Sequence, residues 1–305
     1  MSKLVACYKV HRGGEWFEAS LESVRQHTDG AVVVSSEGSW VSSDFSNNCH
    51  EPLARFYKKH PDYPVIEMSG DFRRGEPQYD IALAAIREDF GEDASALIVD
   101  SDEVWESEDV AKVRCEIEAH PECHYFRAGL YTYLRSPLYQ VWPPEPPNCC
   151  VAIRHCSPQE VNIRFATQQQ GTSRVIPDVR FHHFTYVREN LEDIALKFRC
   201  TSAQELRPSK DGWLDTVWSK LPQGRNLHMT PGFGSVWKEI KVLPKPPILL
   251  PDFCATIVRD EGNHWRQLLE ADSPQNTLIP VPTLADLVKY PEVAEWGSMT
   301  FFAPG

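Results

Sequence analysis

The sequence predicts an α/β fold: a Rossmann-like mixed, mostly parallel sheet flanked by helices. Three observations carry that expectation. Strand-like and helix-like segments alternate through the first 105 residues, which is the pattern of a layered α/β domain. The strand-like runs, such as GAVVVSS and ALIVD, are continuously apolar, as in strands covered on both faces. One of these runs ends in Asp100, Ser101, Asp102 and Glu103. Parallel α/β sheets gather ligands beyond the carboxyl ends of their strands.

The elements follow in order. Leu4 to Val10 reads as the first strand. Gly13 and Gly14 mark a turn, after which Trp16, Leu21 and Val24 recur at helical spacing. GAVVVSS is the second strand, EPLARFYKKH a short helix and YPVIEMS the third strand. PQYDIALAAIREDF is a helix with proline near its start and Ile81, Ala84, Ala85 and Glu88 on successive turns. ALIVD is the fourth strand. VAKVRCEIEAH is a helix, with Ser107 as its candidate N-cap. CHYFRAGLYTYL is rich in aromatic and β-branched residues and reads as strand. WPPEPPN, residues 142–148, holds four prolines in seven residues and predicts an extended loop. VIPDVRFHHFTYV is a strand and NLEDIALKFRC a helix. A second proline-rich stretch, KVLPKPPILLP, marks the end of the core, and two short helical patterns follow in 252–305.

Composition narrows the class. The chain has 305 residues, 42% hydrophobic and 24% charged, an ordinary globular profile with enough length for a sizeable core. The net charge of −12 disfavours general binding along a nucleic-acid backbone. The longest apolar run is too short to span a membrane, and the first ten residues lack a signal peptide's apolar region. Nine cysteines without a CxxC pair suggest reduced thiols and a cytoplasmic protein. Cys149, Cys150, His155 and Cys156 cluster in sequence, but their spacing does not match paired zinc ligands, and structural thiols are the simpler reading.

The acidic strand end carries the chemistry. In extended backbone Asp100 and Asp102 would point to one side. Two converging carboxylates repel unless a cation lies between them. Mg²⁺ or Mn²⁺ suits such a site, because a hard ion prefers carboxylate oxygens and keeps positions open for phosphate. The competing reading is a solvated acidic turn that caps the next helix.

ALIVDSDEVWE resembles the DxD segment of family-2-like glycosyltransferases with the GT-A fold. Three further stretches resemble that family in order: residues 4–39, the helix PQYDIALAAI, and HHFTYVRENLEDIALKF. The resemblance covers roughly residues 3–245, leaving 246–305 as a proline-rich linker and C-terminal helical extension. It implies a metal-dependent transferase that moves a sugar from a nucleotide-diphosphate sugar to an acceptor hydroxyl. Asp102 would hold the metal and act in catalysis. Asp100 would lie near the ribose or reach the metal through water, with Ser101 beside it. A third metal ligand would come from FHHFTYVR. Adjacent strand residues face opposite ways, so one of His182 and His183 is expected at the ion, and the family pattern selects His183. Imidazole must be neutral to bind metal, so activity should fall at acid pH.

The resemblance also has departures. Where the family often carries an acidic residue after the second strand, this chain reads Ser35, Ser36, Glu37, Gly38, Ser39, and Glu37 is the candidate substitute. Where an Arg-Asn pair is common, Tyr79 and Asp80 stand, with Asp80 the candidate nucleotide-sugar contact. Arg73, Arg74, Arg188 and Lys197 are candidate diphosphate contacts, since phosphate oxygens attract cationic donors. An inverting reaction needs a carboxylate base. Glu145, Asp178 and Glu160 are available, with Glu145 beside Trp142 in the proline-rich stretch. Two other classes stay open: a metal-dependent nucleotidyltransferase, for which HRGGEW is a weak phosphate-loop candidate, and a non-catalytic carbohydrate-binding protein on the same fold. The donor sugar, the nucleotide and the acceptor (glycan, protein or modified nucleobase) are not specified by the sequence.

Overall fold

The computed structural model describes residues 2–38, 47–72, 76–156, 172–189, 192–194, 212–214, 216–222, 227–228 and 237–261. Arg73, Arg74, Glu160 and Lys197 lie outside the described residues.

The amino-terminal half follows the predicted alternation. It contains β1 (Leu4–Val10), α1 (Gly14–Arg25), β2 (Ala31–Ser36), α2 (His50–Lys59), β3 (Val65–Gly70), α3 (Glu76–Phe90) and β4 (Ser95–Val99). A two-residue strand, β5 (Glu103–Val104), follows the acidic turn and leads into α4 (Ser107–Ala119). Then come β6 (Tyr125–Leu134), β7 (Tyr139–Trp142), β8 (Glu145–Ile153), β9 (Ser173–Tyr186) and β10 (Glu239–Val242).

The strand order is β10-β7-β6-β8-β4-β1-β2-β3, with β9 paired to both β6 and β5. β1, β2, β3 and β4 are mutually parallel; β8 enters antiparallel to β4 and β6; β9 runs parallel to β6. This is a mixed, mostly parallel sheet flanked by helices. Alternate residues serve two helical layers. Ala6, Tyr8, Leu97 and Val99 pack with Phe17 and Leu21 of α1 and Val110 of α4 on one face. Val5, Cys7, Ala96 and Ile98 pack with Leu83 and Ile86 of α3 on the other. That double covering is why the strands read as unbroken apolar runs. Truncating a fully buried anchor such as Phe17 to Ala would cost about 3–5 kcal/mol.

Two expectations need correction. The prolines at 146 and 147 do not lie in a loop but inside β8. Against β6 the register shifts: Leu130 faces Glu145 while Ala128 already faces Cys149. The bulge absorbs residues that cannot donate to the ladder. Ser107 is not the cap of α4: Glu106 occupies that position in extended conformation, and Ser107 Oγ bonds Gln26 instead.

Beyond β6, two further apolar clusters close the site end of the sheet. Trp213, Trp218 and Trp237 pack on Leu134 and Tyr139 in one; Trp16, Tyr133, Phe184 and Cys254 form the other. Residues 252–261 are helical. Leu250, Phe253, Ile257 and Val258 join these clusters, so the described part of the C-terminal segment packs on the same body. Among the described residues no helix is long and apolar enough to cross a membrane.

Candidate active site

The candidate site lies where β1 and β4 end and β9 passes the turn after β4. Residues 100–102 are not extended, as the sequence reading assumed. Glu103 N–H donates to Asp100 O at 3.0 Å, and Asp100 N–H donates to Glu103 Oε2 at 3.1 Å, closing a tight turn. The chain must reverse here to pair β5 with β9, so period-two alternation does not apply. Gly13 makes the turn possible. Its φ is +117°, and a Cβ there would sit 2.5 Å from Ser101 Oγ, which donates to Arg12 O at 3.1 Å.

Each carboxylate has a defined neighbour. Tyr79 Oη donates to Asp100 Oδ1 at 3.4 Å. Asp102 is 4% exposed; its Oδ2 accepts from Arg188 Nη2 at 2.6 Å, and its Oδ1 lies 3.7 Å from His183 Nε2. β5 pairs Glu103 with His183 and Val104 with His182. That pairing gives the two histidines opposite faces. His183 meets Asp102. His182 is buried on the far face, with Nδ1 2.8 Å from Tyr133 Oη and Nε2 3.3 Å from Glu106 Oε1. Tyr133 and Phe184, stacked on each other, lie together beside its ring. His182 as a metal ligand is therefore set aside, because its ring belongs to an aromatic layer on the other side of β9.

The end of β9 is fixed against α1. Trp16 stacks on Phe184 with centroids 4.1 Å apart, and its Nε1 donates to Val187 O at 2.7 Å. This places Arg188 over the acidic turn. Arg188 was expected on the diphosphate. Instead its Nε donates to Thr185 O at 3.1 Å, Nη1 to Glu15 Oε1 at 2.9 Å and Nη2 to Asp102 Oδ2. Burial alone would lower its pKa, but the charges of Glu15 and Asp102 outweigh burial and raise it, so it stays cationic.

The remaining candidates spread out. Glu37 follows β2 and is half exposed, beside His50 at 3.3 Å. Asp80 is half buried one position beyond Tyr79 on α3. Asp178 does not reach the site. It sits on β9 five residues before His183, roughly 15 Å back along the strand, and its charge acts on Lys112 of α4. Its φ of +59° belongs to the irregular part of β9 against β6. Glu145 does face the site side. Oε1 accepts from Thr132 Oγ1 at 2.5 Å and Trp237 Nε1 at 3.0 Å. Thr132 is the β6 residue paired with His183 of β9, which ties Glu145 to that side. Burial raises the Tyr186 pKa, and the charges of both Glu145 and Asp102 add to it.

Sequence reasoning missed three residues. His11 directly follows β1; its Nδ1–H donates to Ser36 O at 2.9 Å, which leaves Nε2 as a buried acceptor without a partner among the described residues. Burial, the largest effect, lowers its pKa and favours this neutral form. Its position after a parallel strand was the available signal. Glu15 read only as a helix residue, and Asn48 had no signal. Asn48 Oδ1 accepts from both Gly13 and Gly14 N–H at 3.1 Å.

Among the described residues, no three His, Cys, Asp or Glu side chains form a ready-made metal cage. Asp102 and His183 are a two-residue donor set. That number fits Mg²⁺ or Mn²⁺, which bind through one or two protein ligands and complete their shell with water and substrate phosphate. Cys150 and Cys156, considered for zinc, are buried with Sγ atoms 3.6 and 3.3 Å from the carbonyls of Ala152 and Ala94.

No protein-family model matches the sequence. No curated protein matches it either. Among solved structures, the chain is similar to S. aureus TarS residues 1–349, with 13% identity over 77% of each chain and a TM-score of 0.39. A longer S. aureus TarS chain is covered over only 22% of its length, at 15% identity over 44% of this chain and a TM-score of 0.29. The chain is also similar to 4-diphosphocytidyl-2C-methyl-D-erythritol synthase from Anaerococcus prevotii, with 13% identity over 64% of this chain and 96% of that one, TM-score 0.40. Similarity at this level assigns no activity to the chain.

Proposed function

We propose that the protein is a metal-dependent glycosyltransferase that uses a nucleotide-diphosphate sugar. The observation that supports this reading best is the approach of His183 Nε2 to Asp102 Oδ1, 3.7 Å, beside the turn after β4. Two residues 81 positions apart meet there, at the sheet edge where parallel α/β folds bind ligands. Asp102 and His183 would hold Mn²⁺ or Mg²⁺, which offsets the charge that builds on a departing diphosphate.

The chain's own residues divide the remaining work. His11 Nε2 accepts a hydrogen bond from an N–H of the bound nucleotide at the end of β1. Tyr79 holds Asp100 at the ribose side of the turn. Glu145, fixed through Oε1 by Thr132 and Trp237, takes the proton of the acceptor hydroxyl. The phosphate-loop reading of HRGGEW has less support, because the N–H groups of Gly13 and Gly14 both donate to Asn48.

The test is donor hydrolysis over a panel of UDP- and GDP-sugars with and without Mn²⁺, which needs no knowledge of the acceptor. The reading expects Mn²⁺-dependent hydrolysis of at least one donor and its loss in Asp102→Ala. Metal-dependent activity retained in that variant, or turnover of nucleoside triphosphates with sugar phosphates only, overturns it.

A further inference from the structure

The ion pair behind Asp102 has a design that charge balance alone does not require. Arg188 is 7% exposed, and its three side-chain nitrogens go to three different elements: Thr185 at the end of β9, Glu15 in the first turn of α1, and Asp102 in the turn after β4. A planar guanidinium held at three corners cannot rotate without breaking at least one bond. Its bond to Asp102 is short, 2.6 Å, and falls on Oδ2. The other oxygen, Oδ1, is thereby turned to His183.

We infer that Arg188 is a positioning residue: anchored by Glu15, it sets the orientation of Asp102 so that Oδ1 is the oxygen shared with His183. This rests on the proposed metal site and adds what fixes its geometry. A lysine at 188 keeps the charge but has one nitrogen and no fork, so it cannot hold Asp102 and both anchors together. Groups behind a metal ligand typically change metal affinity 10–100-fold when removed. Glu15 separates charge from geometry. Glu15→Gln and Glu15→Ala both delete one negative charge, but only alanine deletes the acceptor for Nη1.

The experiment is Mn²⁺ titration of the full chain, read by the loss of the free-ion electron paramagnetic resonance signal. The relevant site is the one that Asp102→Asn removes, and melting temperature is measured on every variant. Arg188→Lys is expected to bind Mn²⁺ at least about tenfold more weakly than wild type. Glu15→Ala is expected to bind several-fold more weakly than Glu15→Gln, a comparison that holds even if Arg188→Lys fails to fold. Wild-type affinity in folded Arg188→Lys, or equal affinity in the two Glu15 variants, overturns the positioning role and leaves the metal reading standing. Absence of any Asp102-dependent Mn²⁺ site in wild type overturns the metal reading, and the positioning role with it.

Discussion

Replacing the adjacent histidines one at a time separates fold from function. His182 is 2% exposed, bonded to Tyr133 and Glu106, and packed against aromatic rings. Alanine there opens a cavity and removes a bond from the buried Tyr133 hydroxyl. Together these should cost about 2–4 kcal/mol, or very roughly 5–10 °C in melting temperature for a chain of this size. His183 is a quarter exposed, so its removal should cost under about 1 kcal/mol. It would, however, delete one of two protein ligands from the proposed ion, and Mn²⁺-dependent donor hydrolysis should fall about 100-fold or more. Differential scanning fluorimetry and a donor-hydrolysis assay on the same preparations read both effects. The expected pattern is crossed: His182→Ala melts early but keeps Mn²⁺ dependence below its melting temperature, whereas His183→Ala melts almost normally and is inactive. Equal or reversed effects would refute the assignment of faces across β9.

Three other perturbations follow from the same geometry. Gly13→Ala places a Cβ against Ser101 at a φ that L residues rarely adopt, and should destabilise the chain by about 1–3 kcal/mol; an unchanged urea midpoint would show that the turn relaxes freely. Glu145→Gln keeps its bonds to Thr132 and Trp237 but loses basicity; sugar transfer should fall at least about 100-fold with little change in melting temperature, and normal transfer would remove Glu145 from the chemistry. The Glu106 pKa lies below its ordinary 4.5, chiefly through its hydrogen bond with His182. Its folded value is lower than its unfolded one, so the bond's contribution is full above pH 4.5 and is lost as pH falls through the folded value. Because Glu106 is half exposed the effect is small, but the urea midpoints of wild type and Glu106→Gln should converge as pH falls below 4.5. Constant separation would contradict the pairing.

The parallel half of the sheet was legible because burial on both faces leaves a direct mark: β1, β2 and β4 are apolar at consecutive positions. The opposite faces of His182 and His183 were legible for the same local reason, strand periodicity. The turn at 100–102 was not, because the reversal is imposed by β5 pairing with β9, eighty residues away. The prolines of β8 misled because their tolerance depends on a bulge set by the partner strand β6. Arg188 was read as a phosphate contact from its charge; only the fold shows that Glu15, Thr185 and Asp102 surround it. The same holds for His11, whose significance comes from the Ser36 carbonyl on the neighbouring strand.

The central claim is that Asp102 and His183 bind one divalent ion. Anomalous diffraction from crystals grown with Mn²⁺ and UDP or GDP tests it directly. A manganese peak bonded to both Asp102 and His183, with nucleotide phosphate completing its shell, is the predicted result. Bound nucleotide with no metal between those two side chains would contradict it.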